Sequence, residues 1–234
     1  MVSLLNPGEH LRISSAIKAA EARTSGEIFC VLARRVASHE DVALLWAAGL
    51  ALALPMLLIP LGLVDGLPGR LLPGLSGGWT AGHMSATPSL IAATLGVYAL
   101  LQTVIFFFVW GLSLIPAVRR LMVPAAVRRA RVRDAALAQF LSHGIHQTQG
   151  RTGVLILVSV FDRDIEIVAD EEIHEKVGPE VWGRAVEGFA IEARHGRWAE
   201  GFIRAIGGCG QVLSEHFPAE RLNPNELPDH LVEM

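Results

Sequence analysis

This sequence predicts an α/β fold with a short mixed β-sheet, interrupted by a two-helix membrane hairpin. Three observations lead there. Capped amphipathic helices alternate with continuous apolar runs of strand length. Two much longer apolar segments, residues 42–64 and 89–115, fall between the first such strand and the next helix. No Asp, Glu, Lys or Arg occurs between Asp41 and Asp65, or between Arg70 and Arg119, although the 234-residue chain is 18% charged overall. The apolar excess is therefore concentrated, as expected for an anchor joined to a soluble domain.

Asn6 has the chemistry of an N-cap, with Pro7 at the first helical position and Glu9 at the third. Ile13, Ala16, Ile17 and Ala20 then repeat at helical spacing, so a first helix is expected over residues 7–23. Gly26 is expected to end the helix region in a left-handed conformation. Residues 27–33, Glu-Ile-Phe-Cys-Val-Leu-Ala, read as a strand buried on both faces.

The two long segments come next. A hydrocarbon core of about 30 Å takes about 20 helical residues, and both segments reach that length. Trp46, Tyr98 and Trp110 suit segments that meet lipid interfaces, and Pro55 and Pro60 are tolerable where neighbours satisfy the freed carbonyls. The first apolar run begins only after residue 41, so a cleavable signal peptide is not expected and both spans should remain. Arg34 and Arg35 precede the first span. Arg119, Arg120, Arg128, Arg129, Arg131 and Arg133 follow the second, whereas the Gly- and Pro-rich loop 65–87 has only Arg70. This asymmetry predicts both termini in the cytoplasm, with two spans between them.

Beyond the hairpin, Pro124 can start a helix reaching about residue 141, with Gly144 near its end, and residues 153–161 form a second apolar strand. Strand, crossover and strand make a βαβ unit, parallel and right-handed. Residues 162–164, Asp-Arg-Asp, suit a hairpin turn leading to a third strand, 165–169, antiparallel to the second. Helices over residues 180–194 and 197–217 carry apolar stripes that read as core. The tail after Pro218, with Pro224 and Pro228, is expected to be irregular. The organisation is therefore residues 1–40 and 119–217 as two parts of one cytoplasmic domain, 41–118 as the hairpin and 218–234 as the tail.

Three stretches resemble a known family. They are residues 21–28, Glu-Ala-Arg-Thr-Ser-Gly-Glu-Ile, residues 165–170, Ile-Glu-Ile-Val-Ala-Asp, with Ile173 and Trp182 downstream, and residues 196–201, Gly-Arg-Trp-Ala-Glu-Gly. In this order they resemble the TPM domain, found in chloroplast thylakoid proteins and in many bacterial membrane proteins. The resemblance implies a three-layer α/β sandwich with a short mixed sheet. Some plant members are linked to photosystem repair, acid phosphatase activity and calcium binding. Here the spans lie inside the domain instead of in a leader and a single trailing anchor.

Candidate chemistry lies in the acids. Asp162 with Asp164, and Asp170 with Glu171 and Glu172, are separated by five extended residues, about 16 Å at about 3.3 Å each, too far to share one ion. With strands one and two parallel and three antiparallel, Asp170 shares a sheet end with Glu27. A carboxylate edge of Glu27, Asp170, Glu171 and Glu172 has the oxygen ligands that Ca²⁺ or Mg²⁺ require. The structural alternatives are an N-cap at Asp170, a capping or pairing role for Glu27, and turn chemistry at Asp162 and Asp164. His143 and His146 stand at i and i+3 without a third ligand. Cys30 and Cys209 are expected as buried reduced thiols.

No nucleophile elbow or Gly-rich phosphate loop occurs, and a net charge of −3 gives no case for nucleic acid binding. Arg119, Arg120, Arg128 and Arg129 are expected to meet anionic lipid headgroups. The leading expectation is a membrane-anchored interaction or assembly module for other membrane proteins. The alternatives are a divalent-metal-dependent phosphatase-like enzyme and a calcium-binding module without catalysis.

Overall fold

The computed structural model describes residues 4–58, 88–219 and 225–234, with side chains in the second apolar helix described from residue 95. The chain divides into two compact units, Met1–Ala37 with Ala125–Met234, and Ser38–Pro124. The expected far-side loop, 65–87, lies outside the described residues.

The first unit is an α/β fold. Its sheet has the order β3-β2-β1-β4, with β1 at Glu27–Ala33, β2 at Gly153–Ser159, β3 at Asp164–Ala169 and β4 at Leu231–Glu233. β1 pairs in parallel with β2 along its whole length, Glu27 opposite Gly153 and Ala33 opposite Ser159, and β2 pairs antiparallel with β3. Every residue of β1 and β2 is buried, as their unbroken apolar runs require. Alternate side chains therefore serve two cores. Ile28, Cys30, Leu32, Val154, Ile156 and Val158 join the core formed with helices α1 (Pro7–Glu21), α7 (Gly183–Ala193) and α8 (Trp198–His216). Phe29, Val31, Leu155 and Leu157 face α5 (Ala125–Ser142), which contributes Val132, Ala136 and Phe140. Helices on both faces of a mixed sheet make three layers.

Local chemistry starts these elements where the sequence indicates. Asn6 Oδ1 accepts from Glu9 N at 2.9 Å while Asn6 N donates to Glu9 Oε2 at 2.8 Å, closing the capping box of α1. Gly26 differs from expectation. α1 ends at Glu21 with Ala22 as a right-handed cap, and Gly26 has no positive φ. A Cβ there would lie 3.0 Å from Leu213 Cδ2 and 3.1 Å from the Thr152 carbonyl. Close approach of α8 and the chain leading into β2, rather than a left-handed turn, requires the glycine. Cys30 and Cys209 are free and buried; burial pushes both thiols up, Cys209 to about 12.

The tail also departs from expectation. Residues 231–233 are not irregular but form β4, parallel to β1, with Leu231 opposite Cys30 and Glu233 opposite Leu32. Three residues carry no readable period, and only the free edge of β1 makes them a strand.

The second unit is a helical hairpin. α2 (Glu40–Leu58) buries Ala43, Ala47, Ala51 and Pro55, one residue per turn, and packs along α3 (Pro88–Leu112). Small residues at four-residue spacing let two helices approach closely in lipid. Windows of α2 and α3 reach mean hydropathy 2.0 with only 22% and 6% of their residues buried, so both are long and apolar enough to cross a membrane and neither has the burial of a core helix. Leu45, Leu52, Met56, Leu100 and Phe108 are exposed. α3 stops at Leu112, and Pro116 opens a separate short helix, α4 (Pro116–Met122). Trp46 Nε1 donates to the Met122 carbonyl at 2.9 Å.

Candidate functional site at the carboxylate end of the sheet

Glu27, Gly153 and Asp170 lie in register across β1, β2 and β3. Glu27 stands opposite Gly153, and Asp170 N donates to Gly153 O at 3.0 Å, one step beyond the Val154–Ala169 pair. Parity puts all three on the face that packs against α5. The row thus brings the two carboxylates to one edge and one face. It does not bring them together. Two strand spacings separate them by about 10 Å, and the 3₁₀ turn Ile145–Gln147 sits above the glycine between them. A Cβ on Gly153 would meet Ile145 Cγ2 at 2.5 Å and Ile145 O at 2.6 Å, so only glycine admits the turn.

Each carboxylate has its own surroundings. Asp170 Oδ1 accepts from Glu171 N at 2.7 Å and caps α6 (Glu171–Lys176). Its Oδ2 is buried with no hydrogen-bond partner among the described residues. Glu171 is exposed and meets Arg151 Nη1 at 3.2 Å, while Glu172 is half-buried in the first turn of α6. Thr148 Oγ1 and His146 Nδ1, on the 3₁₀ turn and its exit, are also buried without partners among the described residues. Glu27 is buried, and its Oε2 accepts from Leu227 N at 3.2 Å. Burial pushes its carboxyl up, against the lowering effect of the Leu227 and Glu226 amides.

Sequence reasoning missed the groups that surround Glu27. Glu21, at the end of α1, accepts from Ile28 N at 2.9 Å. Burial raises its carboxyl to about 8, with further raising by Glu27 and by Asp229, to which it is hydrogen-bonded. Asp229 and Glu226 come from the tail, and Glu226 accepts from Gln149 N at 3.0 and 3.1 Å. Glu21 was visible as an acid beside the first strand, but nothing local joins it to residues near the other end of the chain. Among the described residues no three His, Cys, Asp or Glu side chains converge as a metal-holding group. Asp170 Oδ2 is the oxygen whose chemistry fits a hard cation, with Glu171 and Glu172 nearest in sequence.

The remaining candidates lie elsewhere. At the other end of β2, Ser159 Oγ donates to Asp162 Oδ2 at 2.6 Å, and Asp164 Oδ1 accepts from Ile165 N. Burial pushes the Asp164 carboxyl up, opposed by Arg129 and Arg128. Arg163 adopts φ 52° in the turn between them. His143 rests on Phe29 at 4.6 Å between ring centroids, and His146 lies 6.5 Å from Phe140. Arg119 is buried in the helical unit, its Nε donating to Ser113 O and Nη1 to Ser38 O. Arg129 is exposed, and Arg120 and Arg128 are half-buried.

Residues 118–212 match the family model of the TPM domain. That match covers 95 of the 234 residues. The NMR structure of BA42 protein from the psychrophilic bacterium Bizionia argentinensis matches it with a TM-score of 0.56 and 18% identity, covering 100% of this chain and 98% of that one. At that identity the likeness is one of fold. No curated protein matches. The matched part of the TPM domain contains β2, β3 and Asp170, while β1 with Glu27 precedes the hairpin and lies outside it.

Proposed function

We propose that this chain is a membrane-anchored TPM-domain protein of a bacterial inner membrane, with both termini cytoplasmic, whose α/β unit is an interaction or assembly module for other membrane proteins. The observation that supports this reading is one of connectivity. β1 precedes the helical hairpin and β2 follows it, yet they are paired neighbours over seven residues. A hairpin spanning the bilayer would tether the module by two chain segments, so whatever it binds is met at the membrane. Arg120, Arg128 and Arg129 supply charge for anionic headgroups, while Arg119 serves carbonyls of the hairpin itself. Photocrosslinkers at exposed Leu141 and Ile191 in native membranes should capture a specific membrane protein. Recovery of lipid and abundant bystanders alone would refute the module. Reporters fused at Gly77 and after Met234 should read opposite sides; a cytoplasmic loop would overturn the topology.

A second reading, cation binding with or without phosphoester hydrolysis, is favoured by the unpartnered Asp170 Oδ2. Ca²⁺ or Mg²⁺ held there with Glu171 and Glu172 would neutralise phosphate charge. Calorimetry with millimolar Ca²⁺ should then show saturable binding that Asp170→Asn abolishes. Phosphomonoester hydrolysis that survives joint Asp170→Asn and Glu27→Gln replacement would remove this site from the activity.

A further inference from the structure

The α/β unit carries opposite charges at the two ends of its sheet. Glu27, Asp170 and Glu171 lie at the end where β1 and β2 begin, with Glu21, Glu226 and Asp229 around Glu27. Arg151 and Lys18 at that end face Glu171 and Asp229. The end where β1 and β2 finish is rich in arginine. Arg34 and Arg35 follow β1 and are exposed, and Arg163 is exposed in the turn from β2 to β3. Arg128 and Arg129, in the first turns of α5, act on the carboxyl of Asp164, the first residue of β3. The acids among these arginines are engaged inward, Asp162 buried on Ser159 Oγ and Asp164 half-buried on Ile165 N.

Backbone bonds fix the arginines in place. Val160 N donates to Ala33 O at 2.9 Å and Phe161 N to Arg34 O at 3.0 Å, so the ladder continues past β1 and β2 and sets the turn beside Arg34 and Arg35. The Arg35 guanidinium lies over the Phe161 ring at 4.4 Å. Arg163 occupies φ 52°, a left-handed position where glycine is strained least. An arginine there costs stability, and an outward charge is what it supplies. Both covalent connections to the helical hairpin, at residues 37–38 and 124–125, leave the unit from this end. Guanidinium groups match phosphate oxygens in geometry, and a basic cluster beside an anionic leaflet is drawn to it.

We propose that the arginine end of the α/β unit is a docking surface for the phosphate groups of anionic phospholipids, and that Arg163 keeps its left-handed turn position for this contact. The unit stands on the leaflet with Arg34, Arg35, Arg128, Arg129 and Arg163 among the headgroups and its carboxylate end turned to the aqueous side. This inference rests on the membrane-anchored reading and names the surface through which the unit meets lipid.

The test uses the full chain in nanodiscs containing a trace of lipid with a gadolinium chelate on its headgroup. Replacing part of the phosphatidylcholine by phosphatidylglycerol should raise the relaxation enhancement of amides 161–164 relative to amides 171–176 at least threefold, and high salt should remove the gain. Arg163→Gly should raise the thermal midpoint. Combined with Arg35→Gln it should abolish at least half of the gain, whereas joint Arg184→Gln and Arg194→Gln, exposed on α7 and its cap, should not. A gain that is absent, or equal in the two double variants, overturns the proposal. So does a gain abolished by millimolar inorganic phosphate, which would mark a free-anion site. A lower midpoint for Arg163→Gly overturns the role given to that residue. Enhancement at α3 amides without a phosphatidylglycerol gain would overturn the arginine surface and leave the anchor intact; no enhancement at α3 would remove the anchor reading as well.

Discussion

Glu21 ends α1 where its carboxyl meets Asp229 and the Ile28 amide. With its acid raised from 4.5 to about 8, the folded state holds a proton that an unfolded chain releases. Its contribution is complete below about pH 4.5 and is lost progressively as pH rises through 8, at a slope of up to about 1.4 kcal/mol per pH unit. Denaturation midpoints measured from pH 5 to 8 should therefore fall in the unaltered chain and flatten in Glu21→Gln. Glu192 behaves oppositely. It is buried between Arg197 Nε at 2.6 Å and Arg204 Nη2 at 3.0 Å, and the Arg197 hydrogen bond holds its carboxyl below the usual range. Its stabilisation is present above the ordinary carboxylate range and disappears as pH falls through the lowered value. Glu192→Ala should lower the thermal midpoint at pH 7 and lose part of the acid sensitivity seen in the unaltered chain. Glu27 and Asp170 were legible as acids at strand ends, because an acid bordering an apolar run is a local signal. The partners of Glu27 were not, since Leu227 and Asp229 reach it only through the fold.

Among elements, the 3₁₀ turn Ile145–Gln147 decides what the carboxylate row can do. Gly153→Ala would press a methyl into Ile145, displacing the turn at a cost of about 1–3 kcal/mol. Hydrogen exchange should show loss of protection at residues 145–153 with the α8 amides unchanged. Strand polarity indicated that Glu27 and Asp170 share a sheet end, but a turn packed over that same face by the segment after α5 cannot be read from it. β1, β2 and β3 were legible because apolar runs bounded by turn residues are local patterns. β4 was not, because a three-residue strand takes its identity from the edge that it covers. Gly26 was noticed for the wrong property, conformational freedom, when α8 and Thr152 demand that it be small.

Across the whole α/β unit, one sheet is assembled from chain on both sides of the helical hairpin. Ile28, Cys30 and Leu32 stand in the same core as Phe202 and Ile206. A fragment of residues 125–234 alone should lack that core, remaining without cooperative unfolding and with unprotected β2 amides. Adding residues 1–37 in trans should restore protection; a fragment that unfolds cooperatively by itself would contradict this dependence.

The sequence by itself determined α1, α5, α7, α8 and the three long strands, together with the two long apolar helices. Capping, periodicity and a charge-free run are properties of neighbouring residues, and bonds within a helix close locally. Tertiary structure alone decided the fourth strand, the Glu21–Asp229 pair, the wedge over Gly153 and the enclosure of Arg119. Each depends on groups distant in the chain, whose meeting is set by packing, and whose protonation and hydrogen bonding follow from the burial that packing imposes.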